Sequence, residues 1–209
     1  MKTLLAVTLL VLCTLASAQD HRPYIQEHSL VSGGTVVLTL NVGDLKILPS
    51  GSSHLRLEIQ TKRPVDQETM AGWVRRFEVA GDHATVDIHI PKWEENCADD
   101  CGSNVTLYVP QPSDLKADLG VGDLSIQGVE GDKDLHTAVG DLRITVAGPA
   151  EYGHVETHTR IGDVHDSLNQ KGEPDGFLGK SEDFTLGGRY HLRASTGIGD
   201  VHITEDGKP

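Results

Sequence analysis

The stretch Val121-Gly122-Asp123-Leu124-Ser125-Ile126 returns 18 residues later (122 to 140) as Val139-Gly140-Asp141-Leu142-Arg143-Ile144. The same order of apolar, Gly, Asp, apolar and polar residues stands at Val42-Gly43-Asp44-Leu45-Lys46, Ile161-Gly162-Asp163-Val164-His165 and Ile198-Gly199-Asp200-Val201-His202. Five copies in one chain are an internal repeat, and a period near twenty residues is the mark of architectures that stack one small unit on the next. After the first spacing of 18 come 22 (140 to 162) and 37 (162 to 199), the last equal to about two units.

Residues two apart share a face of a strand, so the apolar parity around each copy carries the structural argument. Before the Gly-Asp step the inward set reads Leu38, Leu40, Val42, then Ala117, Leu119, Val121, then Leu135, Thr137, Val139, and finally Leu192, Ala194, Thr196, Ile198. After it the set reads Leu45, Ile47, then Leu124, Ile126, then Leu142, Ile144, Val146, and Val201, Ile203. The two sets are three residues out of step at the dipeptide, so a straight strand would turn one of them to solvent. A bend at each Gly-Asp keeps both inside: Gly supplies the backbone freedom and Asp accepts hydrogen bonds from nearby N–H groups. The fold expected is all-β, a right-handed β-solenoid with one coil per unit; a β-sandwich is the competing arrangement.

Met70, Trp73, Val74 and Phe77 lie at helical spacing, which predicts one short helix near residues 65–76 running into strand. Thr35 to Ile47, Leu55 to Thr61 and Val105 to Val109 read as strands, Phe77 to Ile90 as a hairpin around Gly81-Asp82-His83, and residues 169–188 as an irregular excursion.

Lys2, the apolar run Leu4 to Leu15 and Ala16-Ser17-Ala18 have the layout of a secretory signal peptide with cleavage after Ala18. The organisation expected is therefore a signal peptide over 1–18, a lead-in over 19–33, one domain over 34–204 and a tail over 205–209. The apolar run is shorter than the roughly twenty residues that a membrane-spanning helix needs, and no second one follows. In the exported part Cys97 and Cys101 remain, and an even count in an oxidising compartment predicts a disulfide closing a small local loop. Zinc ligation by the same pair is the alternative, but no second ligand pair stands at zinc-site spacing.

The formal charge is -13, and an acidic chain repels nucleic-acid backbones and anionic lipid, which leaves both as poor partners. The five repeated acids, Asp44, Asp123, Asp141, Asp163 and Asp200, would form a column at strand spacing, about 5 Å apart. Their mutual repulsion must be offset, either by backbone N–H groups in each corner or by a bridging cation such as calcium. Two residues on, Lys46, Ser125, Arg143, His165 and His202 form an outward stripe, read first as a solvated face and second as a neutralising or anion-reading one. The chain has 11 histidines, among them His154, His158 and His165, or His83 and His89. His154 and His158 would share a strand face about 13 Å apart, too far to hold one ion. No nucleophile elbow, phosphate-binding loop or zinc-protease motif is present, so neither a catalytic residue nor a cofactor or metal is assigned.

Asn104-Val105-Thr106-Leu107-Tyr108-Val109-Pro110, followed by Leu115-Lys116-Ala117-Asp118-Leu119-Gly120-Val121-Gly122-Asp123-Leu124 and the later Gly-Asp copies, resembles the bacterial putative-adhesin family, exported domains of unknown function with a repetitive β-solenoid fold. The resemblance spans roughly residues 34 to 204. It implies place and shape more than a ligand: a non-catalytic binding or structural module outside the cytoplasm, meeting a protein or glycan of the cell envelope. The rivals are a β-helical polysaccharide lyase or hydrolase, which the aromatic content of 4% disfavours, and an envelope-stress or signalling accessory.

Overall fold

The computed structural model describes residues 22–91, 102–146, 149–168 and 179–206. Two open, eight-stranded sheets face each other. Sheet A runs, in spatial order, β1 (Tyr24–Ser29), β4 (His54–Thr61), β7 (Ser103–Val109), β3 (Asp44–Pro49), β9 (Leu124–Gln127), β11 (Leu142–Val146), β16 (Val201–Glu205) and β13 (Val164–Asp166). Sheet B runs β14 (Lys180–Thr185), β12 (Tyr152–Ile161), β15 (Tyr190–Ile198), β10 (Lys133–Val139), β8 (Asp114–Val121), β2 (Thr35–Val42), β6 (His83–Ile88) and β5 (Val74–Ala80).

The interior of both sheets is parallel, and antiparallel pairs occur only towards the edges, at β1 with β4, β4 with β7, β5 with β6 and β12 with β14. Equivalent repeat residues pair directly: Leu142 sits opposite Leu124 on one side and Val201 on the other. Each of the five repeated Gly-Asp steps lies where the chain leaves sheet B and enters sheet A, between β2 and β3, β8 and β9, β10 and β11, β12 and β13, and β15 and β16. The inward residues of both sheets, from Leu38 and Leu40 to Val201 and Ile203, merge into one buried aliphatic core. Such burial contributes roughly 25 cal/mol per Å² of apolar surface, the main stabilising term here.

Gly140 shows why glycine holds the crossing point. Its φ is +136°, and a Cβ there would lie 1.9 Å from the carbonyl oxygen of Gly122 in the neighbouring layer. Both conformation and stacking distance therefore reject a side chain.

Helix α1 (Gln67–Trp73) falls within the expected region. Asp66 caps it by accepting the Thr69 N–H, and Glu68 in the first turn suits the positive end of the helix dipole. Met70 and Trp73 are buried, and the chain becomes extended at Val74 and continues as β5. The hairpin of β5 and β6 around Gly81 is present, and β6 then pairs in parallel with β2.

Two expectations need correction, the inward placement of the residue before each glycine and the irregularity of the excursion, and two further features lay beyond the sequence-based expectations. Val121, Val139 and Ile198 do not point inward; with Ile161 they are 42–50% exposed. The pairing ladder passes from Leu119 with Thr137 straight to Val121 with Val139, skipping one residue on each strand, so the bend starts before the glycine and tips this apolar position outward. The stacking order is not the chain order either, because β15 and β16 insert between the layer of β10 and β11 and that of β12 and β13. Sequence spacing carries no information about which side of the stack the returning chain joins. The lead-in contains strand β1, whose alternation is masked by polar residues, and the expected excursion contains β14, an antiparallel strand along β12. The signal-peptide region and the Cys97–Cys101 loop lie outside the described residues.

Candidate functional site

The five repeat acids are brought into one column, in the order Asp44, Asp123, Asp141, Asp200, Asp163. Four of the five carboxylates reach into the next layer, contrary to the expectation that each caps its own corner. Oδ1 of Asp44 accepts the N–H of Asp123 at 3.2 Å, that of Asp123 the N–H of Asp141 at 3.0 Å, that of Asp141 the N–H of Asp200 at 3.0 Å, and that of Asp200 the N–H of Asp163 at 2.7 Å. Asp163 ends the series, where Lys180 of β14 meets its carboxylate.

Part of the charge is offset by the outward stripe. Arg143 forks between Asp123 Oδ2 at 2.8 Å and Asp141 Oδ2 at 2.6 Å. Burial works against ionisation of Asp123, but the hydrogen bond from Arg143 and the N–H of Asp141 hold its carboxyl below the usual range. The hydrogen bond and charge of Lys180 do the same for Asp163. The rings of His165 and His202 stack at 4.8 Å. With its oxygens directed to N–H groups and guanidinium, the column reads as a structural spine.

A second corner column escaped the sequence reading. Asp114 Oδ1 accepts the Asp132 N–H at 2.9 Å, and Asp132 Oδ1 accepts the His191 N–H at 2.8 Å. Gly131-Asp132 is followed by Lys133 in place of an apolar residue, which hid its kinship with the repeat. Lys133 is 3% exposed, and its ammonium donates to Gly131 O at 3.0 Å and to the Tyr152 hydroxyl. Burial lowers its pKa to about 8 against the opposing charges of Glu151, Asp132, Asp114 and Glu130. Burial pushes the Tyr152 hydroxyl upward.

The outer face of sheet B gathers chemistry that linear spacing does not reveal. Asp118, His136, Ser195 and His158 fall in one register row across β8, β10, β15 and β12. His136 Nδ1 lies 3.0 Å from Ser195 Oγ. One row away Arg193 pairs with Glu156 at 3.5 Å. His154 stands 3.6 Å from Asp183 and has its ring 6.1 Å from that of His191. Among the described residues no group of three or more His, Cys, Asp and Glu side chains is placed to hold a metal ion, and no helix is long and apolar enough to cross a membrane. Only pairing across strands joins residues 118, 136, 195 and 158, so the signal lay in register.

No family model and no curated protein matches the chain. Solved structures do. A putative cell adhesion protein from Clostridium sporogenes aligns with a TM-score of 0.52 at 11% identity, over 88% of this chain and 100% of that one. Putative adhesins from Bacteroides fragilis (TM-score 0.32, 10% identity, 88% and 98% covered) and Parabacteroides distasonis (0.27, 14%, 88% and 71%) align less well, and at those scores bear no weight. The first alignment shows a shared fold, rich in β-sheet.

Proposed function

We propose that this chain is an exported, non-catalytic binding or structural module, adhesin-like in build, presented in the cell envelope or outside the cell. In this reading the two sheets are the two sides of a right-handed β-solenoid over residues 34–204, and the five Gly-Asp pairs are its repeated corners. The observation that carries it is the in-register column of Asp carboxylates, four of the five bonded to the next layer. Such a spine fixes a rigid stack and leaves its outward faces free to meet a partner. The fold shared with the Clostridium sporogenes protein supports the same reading, as does the signal-peptide layout of residues 1–18. A protein or glycan of the envelope is the expected partner.

The row of Asp118, His136 and Ser195 favours one second reading, a polysaccharide-active hydrolase with a serine and its base in contact. Against it, β10 and β15 are paired on both sides, which commits their backbone N–H groups to the ladders and away from an oxyanion. Incubation of the protein with a panel of acidic and neutral polysaccharides, assayed both for retention and for new reducing or unsaturated ends, separates the two. Retention without new ends is expected; ends whose release is lost in Ser195→Ala would overturn the non-catalytic reading.

A further inference from the structure

One register row of sheet B alternates large, small and large side chains: His136 of β10, Ser195 of β15 and His158 of β12. Ser195 floors a depression of about 240 Å³, walled by the two imidazoles, by Arg160 and by the Arg193–Glu156 pair. Gly197 extends the floor, and a Cβ there would come within 2.5 Å of the Ala138 carbonyl oxygen, so stacking keeps the notch open.

The charges in this notch are not balanced. Arg193 is matched by Glu156, whereas no hydrogen bond or ion pair engages the Arg160 guanidinium among the described residues. An uncommitted guanidinium beside a hydroxyl and two imidazoles is a local cationic spot suited to an oxyanion, and it acts against the long-range repulsion of a chain of net charge -13. An adjoining depression of about 300 Å³ shares Glu156 and Arg193 and adds Lys116, Asp134, His154 and His191. Lys116, Asp134, Arg193 and Glu156 alternate donor and acceptor in one row across β8, β10, β15 and β12, and the two depressions follow one another along the strands, where successive outward rows lie roughly 6.6 Å apart.

We propose that this face binds an acidic saccharide, with the carboxylate or sulfate of one sugar against Arg160 over Ser195 and the hydroxyls of its neighbour in the adjoining depression. The assignment rests on the reading of the chain as a binding module and names the ligand class. One free guanidinium and no aromatic platform make for weak binding, with a dissociation constant on the order of 0.1–1 mM.

The test is titration of the full chain, followed by amide chemical shifts, with a uronic-acid oligosaccharide, a sulfated oligosaccharide lacking carboxylates, a neutral oligosaccharide of equal length, and free sulfate and acetate. At least one charged saccharide should bind, at least tenfold more tightly than the neutral one and the free ions, and the two charged arms identify which oxyanion is read. Arg160→Ala should weaken binding at least tenfold. Ser195→Trp, which fills the notch, should abolish it with an unchanged melting curve. Equal binding of the neutral saccharide or of the free ions overturns the proposal, as does silence of both charged saccharides. Binding that survives both substitutions overturns the site yet leaves the binding-module reading standing, whereas cleavage of polysaccharide by the wild type overturns that reading itself.

Discussion

The Oδ1 atom of Asp141 accepts the backbone N–H of Asp200 at 3.0 Å, although the two residues are 59 positions apart in the chain. The same atom of Asp123 accepts the N–H of Asp141. A side chain thus adds one hydrogen bond between layers at the point where the strand ladder of sheet B gives way to that of sheet A. Loss of this bond strands an N–H and deprives Arg143 of one partner. Asp141→Ala should cost about 1–2 kcal/mol, read as a lower urea midpoint, and Asp141→Asn, which keeps a carbonyl acceptor, should cost less. Equal midpoints for wild type and Asp141→Ala would remove the spine from the account of stability.

Two glycines give opposite outcomes for one substitution. Gly140→Ala meets both a positive φ and a carbonyl at 1.9 Å, and should cost more than about 3 kcal/mol or prevent folding. Gly72→Ala in α1, where a Cβ meets nothing within 4 Å, should be neutral or raise stability by up to about 1 kcal/mol. Thermal melts of the two variants decide the matter.

Lys133 makes stability depend on alkaline pH. Its pKa in the folded chain is about 8 against an ordinary 10.5, so between those values the unfolded chain binds more protons than the folded one. Stability contributed by this group therefore rises as pH increases from about 8 to about 10.5, by no more than about 3 kcal/mol. Lys133→Met removes the buried ammonium and should flatten the dependence of the urea midpoint on pH across that window. An unchanged slope in the variant would show that other groups govern it.

The outward tilt at Val139 has a direct consequence. Val139→Thr should change stability by less than about 0.5 kcal/mol, whereas Leu142→Ala, three residues on and fully buried, should cost about 2–5 kcal/mol. A large loss at Val139 would place it in a contact that the structure does not contain.

Calcium should leave the melting temperature within about 1 °C of its value in chelator, because Oδ1 of each carboxylate from Asp44 to Asp200 already accepts an N–H and Arg143 occupies two of the remaining oxygens. A large rise reversed by chelator would turn the spine into an ion site.

The sequence by itself determined the all-β character, the positions of the bends and most of the core. These depend on local chemistry: glycine where φ must be positive, aspartate beside it, and alternating aliphatics such as Leu124 and Ile126 on either side. It also located α1, since the spacing of Met70 and Trp73 is a local signal. Tertiary structure alone decided that β15 lies between β10 and β12, that Asp carboxylates serve the next layer, and that Val121 and its equivalents face outward. It also decided that His136, Ser195 and His158 share a row. The reason is physical: hydrogen bonding between layers and the register of parallel strands join residues tens of positions apart, and no periodicity within a single strand encodes which partner that strand will find.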